Sequence, residues 1–262
     1  MSATSRMLQQ VHNETADVFD IIWDEVIDER ATKQEVNFIA SQFRKGATLL
    51  DLGCGTGRHL IPLIKKGYSV TGLDSGKKLL KVTSKKLEHH HLIAPLINAD
   101  INKIRKLPQQ YDGVYSFWNS FCEMAHSEQQ ARHILHSIFL SLKPGGKLII
   151  DQNTNVERFS PQSLTYAAEI SHGAREYTML FLPYKYHLKK RRVISKERVI
   201  VRERGKLISN HNFTLTQQWW TKQQLERFCK QAGFTSCVSY GVDFKPHARH
   251  KDRLVIVARK ES

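Results

Sequence analysis

Long apolar runs are missing from this 262-residue sequence. None approaches the roughly 18 residues of a membrane-spanning helix, which excludes an integral membrane protein of the helical kind. The opening residues, Met1 to Gln10, are polar and lack the apolar stretch of a secretory signal, so a cytoplasmic location is expected. Cysteine is scarce. Cys54, Cys122, Cys229 and Cys237 form no Cys-x-x-Cys pair, which argues against a zinc ribbon or a disulfide scaffold and fits a reducing compartment. Acidic residues are also in short supply. Twenty-five Asp and Glu face 40 Lys and Arg, for a formal net charge of +15. Forty per cent hydrophobic residues and only seven prolines exclude wholesale disorder. The length suits one enlarged α/β domain, or a domain with a subdomain.

The positive charge fits a nucleic-acid binder. Residues 185–206 hold ten Lys and Arg, Lys189 to Arg192 among them, against Glu197 and Glu203. Yet Lys65-Lys66, Lys77-Lys78 and Lys85-Lys86 are basic too, so the charge is spread rather than gathered at one site.

What is present is an alternation. Apolar positions from Val18 to Ile27 predict an N-terminal helix, and Lys33 to Phe43 a second one ended at Lys45-Gly46. Ala47 to Leu52 reads as a buried strand running into a glycine turn and a helix through Leu60, Leu63 and Ile64. Tyr68 to Asp74 is the next strand, with Ser75 placed to cap the helix after it. Leu92–Ile97 and Tyr111–Trp118 predict strands three and four, Glu128–Leu142 a helix, and Lys147–Asp151 strand five. Strands alternating with helices imply a parallel sheet covered on both faces. Between Leu164 and Thr216 the period changes to two, with Gly173 and Gly205 as turns, which predicts an inserted antiparallel sheet. Thr221 then caps a helix ended by Gly233. Thr235–Tyr240 and Arg253–Ala258 finish as strands.

The segment that carries chemistry is Leu49-Leu50-Asp51-Leu52-Gly53-Cys54-Gly55-Thr56-Gly57, with Asp74 closing the following strand. Glycines let backbone approach a ligand, and a carboxylate about 20 residues on is placed to hold ribose hydroxyls. A dinucleotide fingerprint would put its third glycine where Arg58 stands. Gly57 comes one residue early, and no Gly-Lys-Ser/Thr phosphate loop is present.

On these residues the sequence resembles the class I S-adenosylmethionine (SAM)-dependent methyltransferases, over most of its length. Asp51 to Gly57 is similar to their first motif, and Asp74 to the acidic residue that binds the SAM ribose. Asn98-Ala99-Asp100-Ile101 resembles the segment whose Asp faces the adenine, and Lys143 to Asp151 the turn before strand five. Arg253 to Lys260 resembles their last strand. The nearest branch carries a lid helix (Asp17 to Trp23), has Phe117 to Phe121 after strand four, and often holds small-molecule substrates under an antiparallel insertion.

The resemblance implies a Rossmann-like seven-stranded sheet with helices on both faces and a small antiparallel subdomain. It divides the chain into lid helices (1–45), a SAM-binding core (46–160), an inserted subdomain serving as acceptor lid or dimer surface (161–218), and a last helix with two core strands (219–262). It implies SAM as cofactor, S-adenosylhomocysteine as product, and cofactor contacts from Asp51, Gly53, Cys54, Gly55, Gly57, Asp74, Ser75, Asp100, Ile101 and Trp118. Arg58 or His59 meets the SAM carboxylate, or else is an exposed helix residue.

Glu123 and His126, just past strand four, are the base candidates by position, or else solvated residues opening a helix. Phe19, Trp23, Asn119, Tyr177 and Trp219 are candidates for the acceptor pocket, with Tyr184 and Asp243 beside them. The strand-four exit lacks the Pro-Pro-Tyr loop of nucleobase amino methylation. Phe121 precedes Cys122 where a carbon-5 methylating cysteine often follows proline. Adjacent His89-His90-His91 cannot converge on one ion, and no metal is expected. The expected acceptor is a small molecule, an anion being one candidate, methylated at N or O by a monomer or homodimer. The alternatives are an RNA methyltransferase using the basic 185–206 region and a non-catalytic SAM-binding protein.

Overall fold

A computed structural model describes residues 16, 18, 20–21, 28–104, 107, 110–154, 166–246 and 253–261. Its first full helix, α1 (Glu29–Ser41), starts four residues earlier than its periodicity predicts, because Asp28 caps it by accepting from the Arg30 N–H at 2.8 Å. Val36, Phe38 and Ile39 form its buried face. Then follow β1 (Thr48–Leu52), α2 (Leu60–Lys65), β2 (Ser69–Asp74), α3 (Lys77–His89) and β3 (Leu96–Asn98). The strand β3 is shorter than expected, and Pro95, which has no N–H to give a ladder, stands immediately before it. Ser75 is not the cap of α3. That position is Gly76, whose N–H goes to the Asp74 carboxylate.

The second half of the core holds β4 (Tyr111–Ser116), a short α4 (Ser120–Met124), α5 (Glu128–Ser141) and β5 (Leu142–Asn153). The strand β4 stops before Trp118 because Trp118 and Asn119 both adopt positive φ, 57° and 62°, which turns the chain sharply.

The four strands after β5 are β6 (Tyr166–His172), β7 (Arg175–His187), β8 (Arg192–Glu203) and β9 (Lys206–Gln218). They form a separate antiparallel meander in sequence order. The Arg204-Gly205 turn between β8 and β9 has positive φ at both residues, 50° and 78°, as a two-residue hairpin requires. The helix α6 (Lys222–Ala232) carries the predicted Thr221 cap, completed by Gln224, and ends on left-handed Gly233. β10 (Ser236–Tyr240) and β11 (Arg253–Arg259) return to the main sheet.

The main sheet has seven strands in the order β10-β11-β5-β4-β1-β2-β3. Its five central-to-edge strands β1 to β5 pair in parallel, and β11 lies antiparallel to β5 and to β10. One apolar cluster joins the sheet to α5 and α6 through Ile134, Leu135, Leu225 and Phe228. The other joins it to α1, α2 and α3 through Ile39, Leu60 and Leu80. Burying both faces leaves the carboxyl ends of β1, β2, β3 and β4 as the place where loops meet a ligand.

The inserted sheet has its own core of Ala168, Tyr177, Met179, Val199, Val201 and Phe213, with Val18 and Ile21 of the N-terminal segment packed against it. Ala16, Val18, Asp20 and Ile21 are helical, and Asp20 pairs with Lys86 of α3 at 2.7 Å. Phe19 and Trp23 lie outside the described residues. Among the described residues no helix is long and apolar enough to cross a membrane.

Candidate active site

At the carboxyl ends of the parallel strands lies a cavity open to solvent. Gly53, Leu73, Asp74, Ser75, Ala99, Asp100, Ile101, Ser120, Glu123 and Met124 line it. Of the residues expected to touch a cofactor, the fold thus gathers Gly53, Asp74, Ser75, Asp100 and Ile101 from three separate loops.

Backbone contacts explain how these loops meet. Gly53 and Cys54 donate their N–H groups to the Leu73 carbonyl at 2.8 and 3.2 Å, stitching the glycine turn to β2. Asp74 is 7% exposed, and its carboxylate works in two directions. Oδ2 accepts from the Gly55 N–H at 3.0 Å and Oδ1 from the Gly76 N–H at 2.7 Å. A carboxylate offers about four lone-pair sites, so this one keeps capacity for further donors. Gly53 has φ +79°, and a Cβ there would sit 2.9 Å from the Ser120 Cβ, so only glycine lets α4 close over the turn. Asp100 holds its own loop by accepting from the Asn102 N–H at 3.0 Å, and Asn102 Nδ2 reaches the Met124 carbonyl at 3.0 Å.

Asp51 lies beneath the turn, almost fully buried, and its Oδ2 has no hydrogen-bond partner among the described residues. Burial pushes its carboxyl up to about 7, against the Tyr115 hydroxyl and with the Asp74 charge adding to the rise. Gly55 and Gly57 stay on the loop without lining the cavity, and a Cβ at Gly57 would lie 2.9 Å from Thr83 of α3.

Two expected cofactor contacts fall elsewhere. The Cys54 side chain turns away from the cavity into the core between α2 and β2, because its sulfur occupies the space beside Gly72. Trp118 faces a different cluster. Its indole Nε1 donates to Glu35 at 2.9 Å, and the Arg58 guanidinium covers its ring at 4.4 Å. Glu35, 1% exposed, also meets Arg58 at 3.0 Å, His59 at 2.8 Å and Arg253 at 2.6 Å. Arg253 in turn pairs with Asp151. Arg58 and His59 are therefore not exposed helix residues. Burial alone would raise the Glu35 carboxyl, but the His59 hydrogen bond and the Arg58 and Arg253 charges hold it down at about 2. Burial pushes His59 down to about 4, with the Arg58 charge adding to the drop and Glu35 opposing it.

The base candidates separate. Glu123 lines the cavity, and one oxygen accepts from Gln217 Nε2 of β9 at 2.9 Å. It is not a solvated helix opener. Burial pushes it up to about 8; the Gln217 bond lowers it, and the Glu197 and Asp74 charges add to the rise. His126 is instead a clamp, its Nε2 lying 3.1 Å from the Thr216 carbonyl and its own carbonyl accepting from Arg192 at 2.7 Å.

Of the acceptor-pocket candidates, Asn119, Tyr177, Trp219 and Asp243 do not line this cavity. Asn119 binds the Asn153 N–H at 2.7 Å, Tyr177 packs in the core of the inserted sheet, and Trp219 is fully buried beside Arg191. Asp243 pairs with Lys245 on the surface. The Tyr184 side chain lies outside the described residues. Among the described residues no three or more of His, Cys, Asp and Glu are grouped to hold a metal ion.

Ser120 and Met124 were not singled out from sequence. Their spacing with Glu123 is i, i+3, i+4, one face of a helix, and that signal would have found both.

Residues 49–146 match a family model described as a methyltransferase domain. The glycine/sarcosine/dimethylglycine N-methyltransferase of Actinopolyspora halophila is 33% identical over 135 residues, which cover 50% of this chain and 24% of that protein. The chain matches about half the length, or less, of the first curated relatives. An S-adenosylmethionine-dependent methyltransferase from Clostridium acetobutylicum superposes with a TM-score of 0.74 at 17% identity, over 96% of this chain and 99% of that one. The sugar N-methyltransferase of a Streptoalloteichus species superposes with a TM-score of 0.73 at 17% identity, over 93% of each chain. At such identities the structural likeness concerns the fold, while the matched domain adds sequence over the glycine turn and both acidic strand ends. Residues 49–146 are thus similar in sequence to a methyltransferase domain, and the chain shares the fold of S-adenosylmethionine-dependent methyltransferases.

Proposed function

We propose that this chain transfers a methyl group from SAM to nitrogen or oxygen of a small-molecule acceptor, with Glu123 as the general base. The observation that carries this is the cavity itself, where Asp74, Asp100 and Glu123 converge from the ends of β2, β3 and β4.

The residues fit the cofactor. Asp74 has acceptor capacity left for ribose hydroxyls, Asp100 lines the same cavity and is the acid that the resemblance assigns to the adenine, and Gly53 leaves the space a side chain would fill. When bound, SAM supplies a methyl group on a sulfonium, already activated for transfer. The protein has to position the acceptor, keep water out and take up a proton. Positioning contributes roughly 7–11 kcal/mol. A well-placed base contributes a factor of about 10² to 10⁴. Glu123, pushed up to about 8, is near the ideal for a base at neutral to mildly alkaline pH. The inserted sheet reaches it through Gln217, which supports its role as a roof over the acceptor.

The small-molecule reading is also supported by the relatives, whose names refer to glycine, sarcosine and sugar acceptors. The RNA alternative draws no such support. In the 185–206 stretch Arg192 is occupied by the His126 carbonyl and by Gln218, and none of the described side chains of the stretch lines the cavity.

Calorimetry with S-adenosylhomocysteine and NAD tests the cofactor assignment. Micromolar S-adenosylhomocysteine binding with far weaker NAD binding is expected; NAD binding more tightly overturns the assignment.

A further inference from the structure

The last residues of β9 grip the helix that walls the cavity. Side chains alternate along a strand, so Gln217 turns to the face opposite Thr216 and Gln218. The Thr216 carbonyl lies 3.1 Å from His126 Nε2, just past the end of α4. Gln218 accepts from Arg192 Nε at 3.3 Å and donates to the Lys190 carbonyl at 2.7 Å. Arg192 also reaches the His126 carbonyl at 2.7 Å. These bonds seat the strand end on the α4–α5 junction. Gln217, between them, donates from Nε2 to Glu123 Oε1 at 2.9 Å.

The chemistry of this donor matters. The chain has 40 Lys and Arg, yet among the described residues none of them forms an ion pair with Glu123. A cation beside the carboxyl would hold it well down and leave a weak base. A neutral amide favours the ionised form more gently and has no charge of its own to titrate. It also distinguishes the two oxygens. Oε1 is taken, while Oε2 has no protein donor among the described residues, on a side chain that lines the cavity. Gln217 is not among the lining residues, so its partner is Glu123 rather than the ligand.

We propose that Gln217 is the positioning residue of the base: it occupies Oε1 of Glu123 and so presents Oε2 to the acceptor. This rests on the methyltransferase reading above and adds that the inserted sheet, not the parallel core, aligns the base. In the reaction Oε2 takes the N–H or O–H proton of the acceptor. The electron pair so freed forms the bond to the methyl carbon while the bond from that carbon to sulfur breaks, its pair staying with sulfur. Glu123 then returns the proton to solvent. Glu123 stands on α4 and Gln217 on β9, so the base is aligned only while the strand end is seated on the helix.

The test needs no identified acceptor. The full chain is produced with glutamate 13C-labelled at its side-chain carboxyl, and the Glu123 signal is identified by its loss in Glu123→Gln. Its titration is followed with S-adenosylhomocysteine bound, in the wild type, Gln217→Met and Gln217→Glu. Met keeps the length of the side chain and removes the donor; Glu keeps the shape and adds an acid. The other groups that bear on Glu123 stay in place. They are the Asp74 and Glu197 charges, which raise it, the Cys122 thiol, pushed up by burial, and His126, pushed down by burial. Gln217→Met is expected to move the Glu123 midpoint up by about one pH unit or more, the scale of one hydrogen bond to a charged group. In Gln217→Glu the two acids are expected to titrate in two linked steps, the upper one above the wild-type midpoint. S-adenosylhomocysteine affinity is expected to stay within about threefold in both variants. A Glu123 midpoint that is unchanged in the folded variants, with ligand bound normally, makes Gln217 a tether of the insertion and overturns this inference alone. No S-adenosylhomocysteine binding by the folded wild type overturns the cofactor assignment and the role of Gln217 with it.

Discussion

Asp74 serves the fold and the ligand with one carboxylate. Removing it as Asp74→Ala strips the acceptor from the Gly55 and Gly76 N–H groups, at about 1–3 kcal/mol for each group left unsatisfied. The expected outcome is at least about tenfold weaker S-adenosylhomocysteine binding together with a lower urea midpoint, and Asp74→Asn should recover part of the stability but less of the binding. A variant that binds normally would remove Asp74 from the cofactor site. Glu123 yields a pH signature. A base must be ionised to act, so methyl transfer should rise as pH increases through about 8, and Glu123→Gln should flatten that limb. Its stability effect has the opposite slope. The folded state holds this proton more tightly than the unfolded chain, so the stabilisation is complete below 4.5 and is lost as pH rises through about 8. Gly53 and Asp74, which line the cavity, were legible because their chemistry is written as local spacing. The Glu123–Gln217 bond was not, since 94 residues separate the partners and only the inserted sheet brings them together.

At the level of elements, α1 is fastened to the sheet through Glu35, which joins the loop after β1, the exit of β4 and the start of β11. Glu35→Gln leaves two buried guanidinium groups short of a counter-charge, and a loss of about 3–5 kcal/mol is expected in chemical denaturation. The same clamp makes the protein acid-sensitive. His59 is held neutral below its ordinary 6.5, so stability falls as pH drops from 6.5 through about 4. Glu35 is held charged, and its contribution falls as pH drops from 4.5 through about 2. A melting temperature that is flat between pH 6.5 and 4 would contradict this. The turn between β1 and α2 has its own constraint. Gly53→Ala would force a Cβ against Ser120 in a left-handed backbone, and about 1–3 kcal/mol of strain with impaired S-adenosylhomocysteine binding is expected. Element type and order were readable from periodicity, and the two capped ends at Thr221 and Gly233 fell where their residue types said. Lengths were harder. The start of α1 depended on an Asp28 side chain, and the end of β4 on two positive φ angles that no propensity of Trp118 announces.

For the whole molecule, the two sheets divide the labour that we propose: the parallel one for the cofactor, the antiparallel one for the acceptor. Replacing 164–216 by a short linker should leave S-adenosylhomocysteine binding largely intact and abolish methyl transfer, followed with SAM labelled in its methyl group. Loss of ligand binding in a still-folded deletion would show that the inserted strands build the cofactor site. The attachment of this sheet has an evolutionary meaning. The chain leaves β5 after Asn153 and comes back to the core at Trp220, whose carbonyl accepts from the Gln152 side chain, so the two ends of the insertion are tied together. A segment whose two ends are tied together can be exchanged by recombination for another of different length without moving any strand beneath it. New acceptor specificity could arise by transplanting that cassette, provided the newcomer brings a donor for Glu123 in place of Gln217.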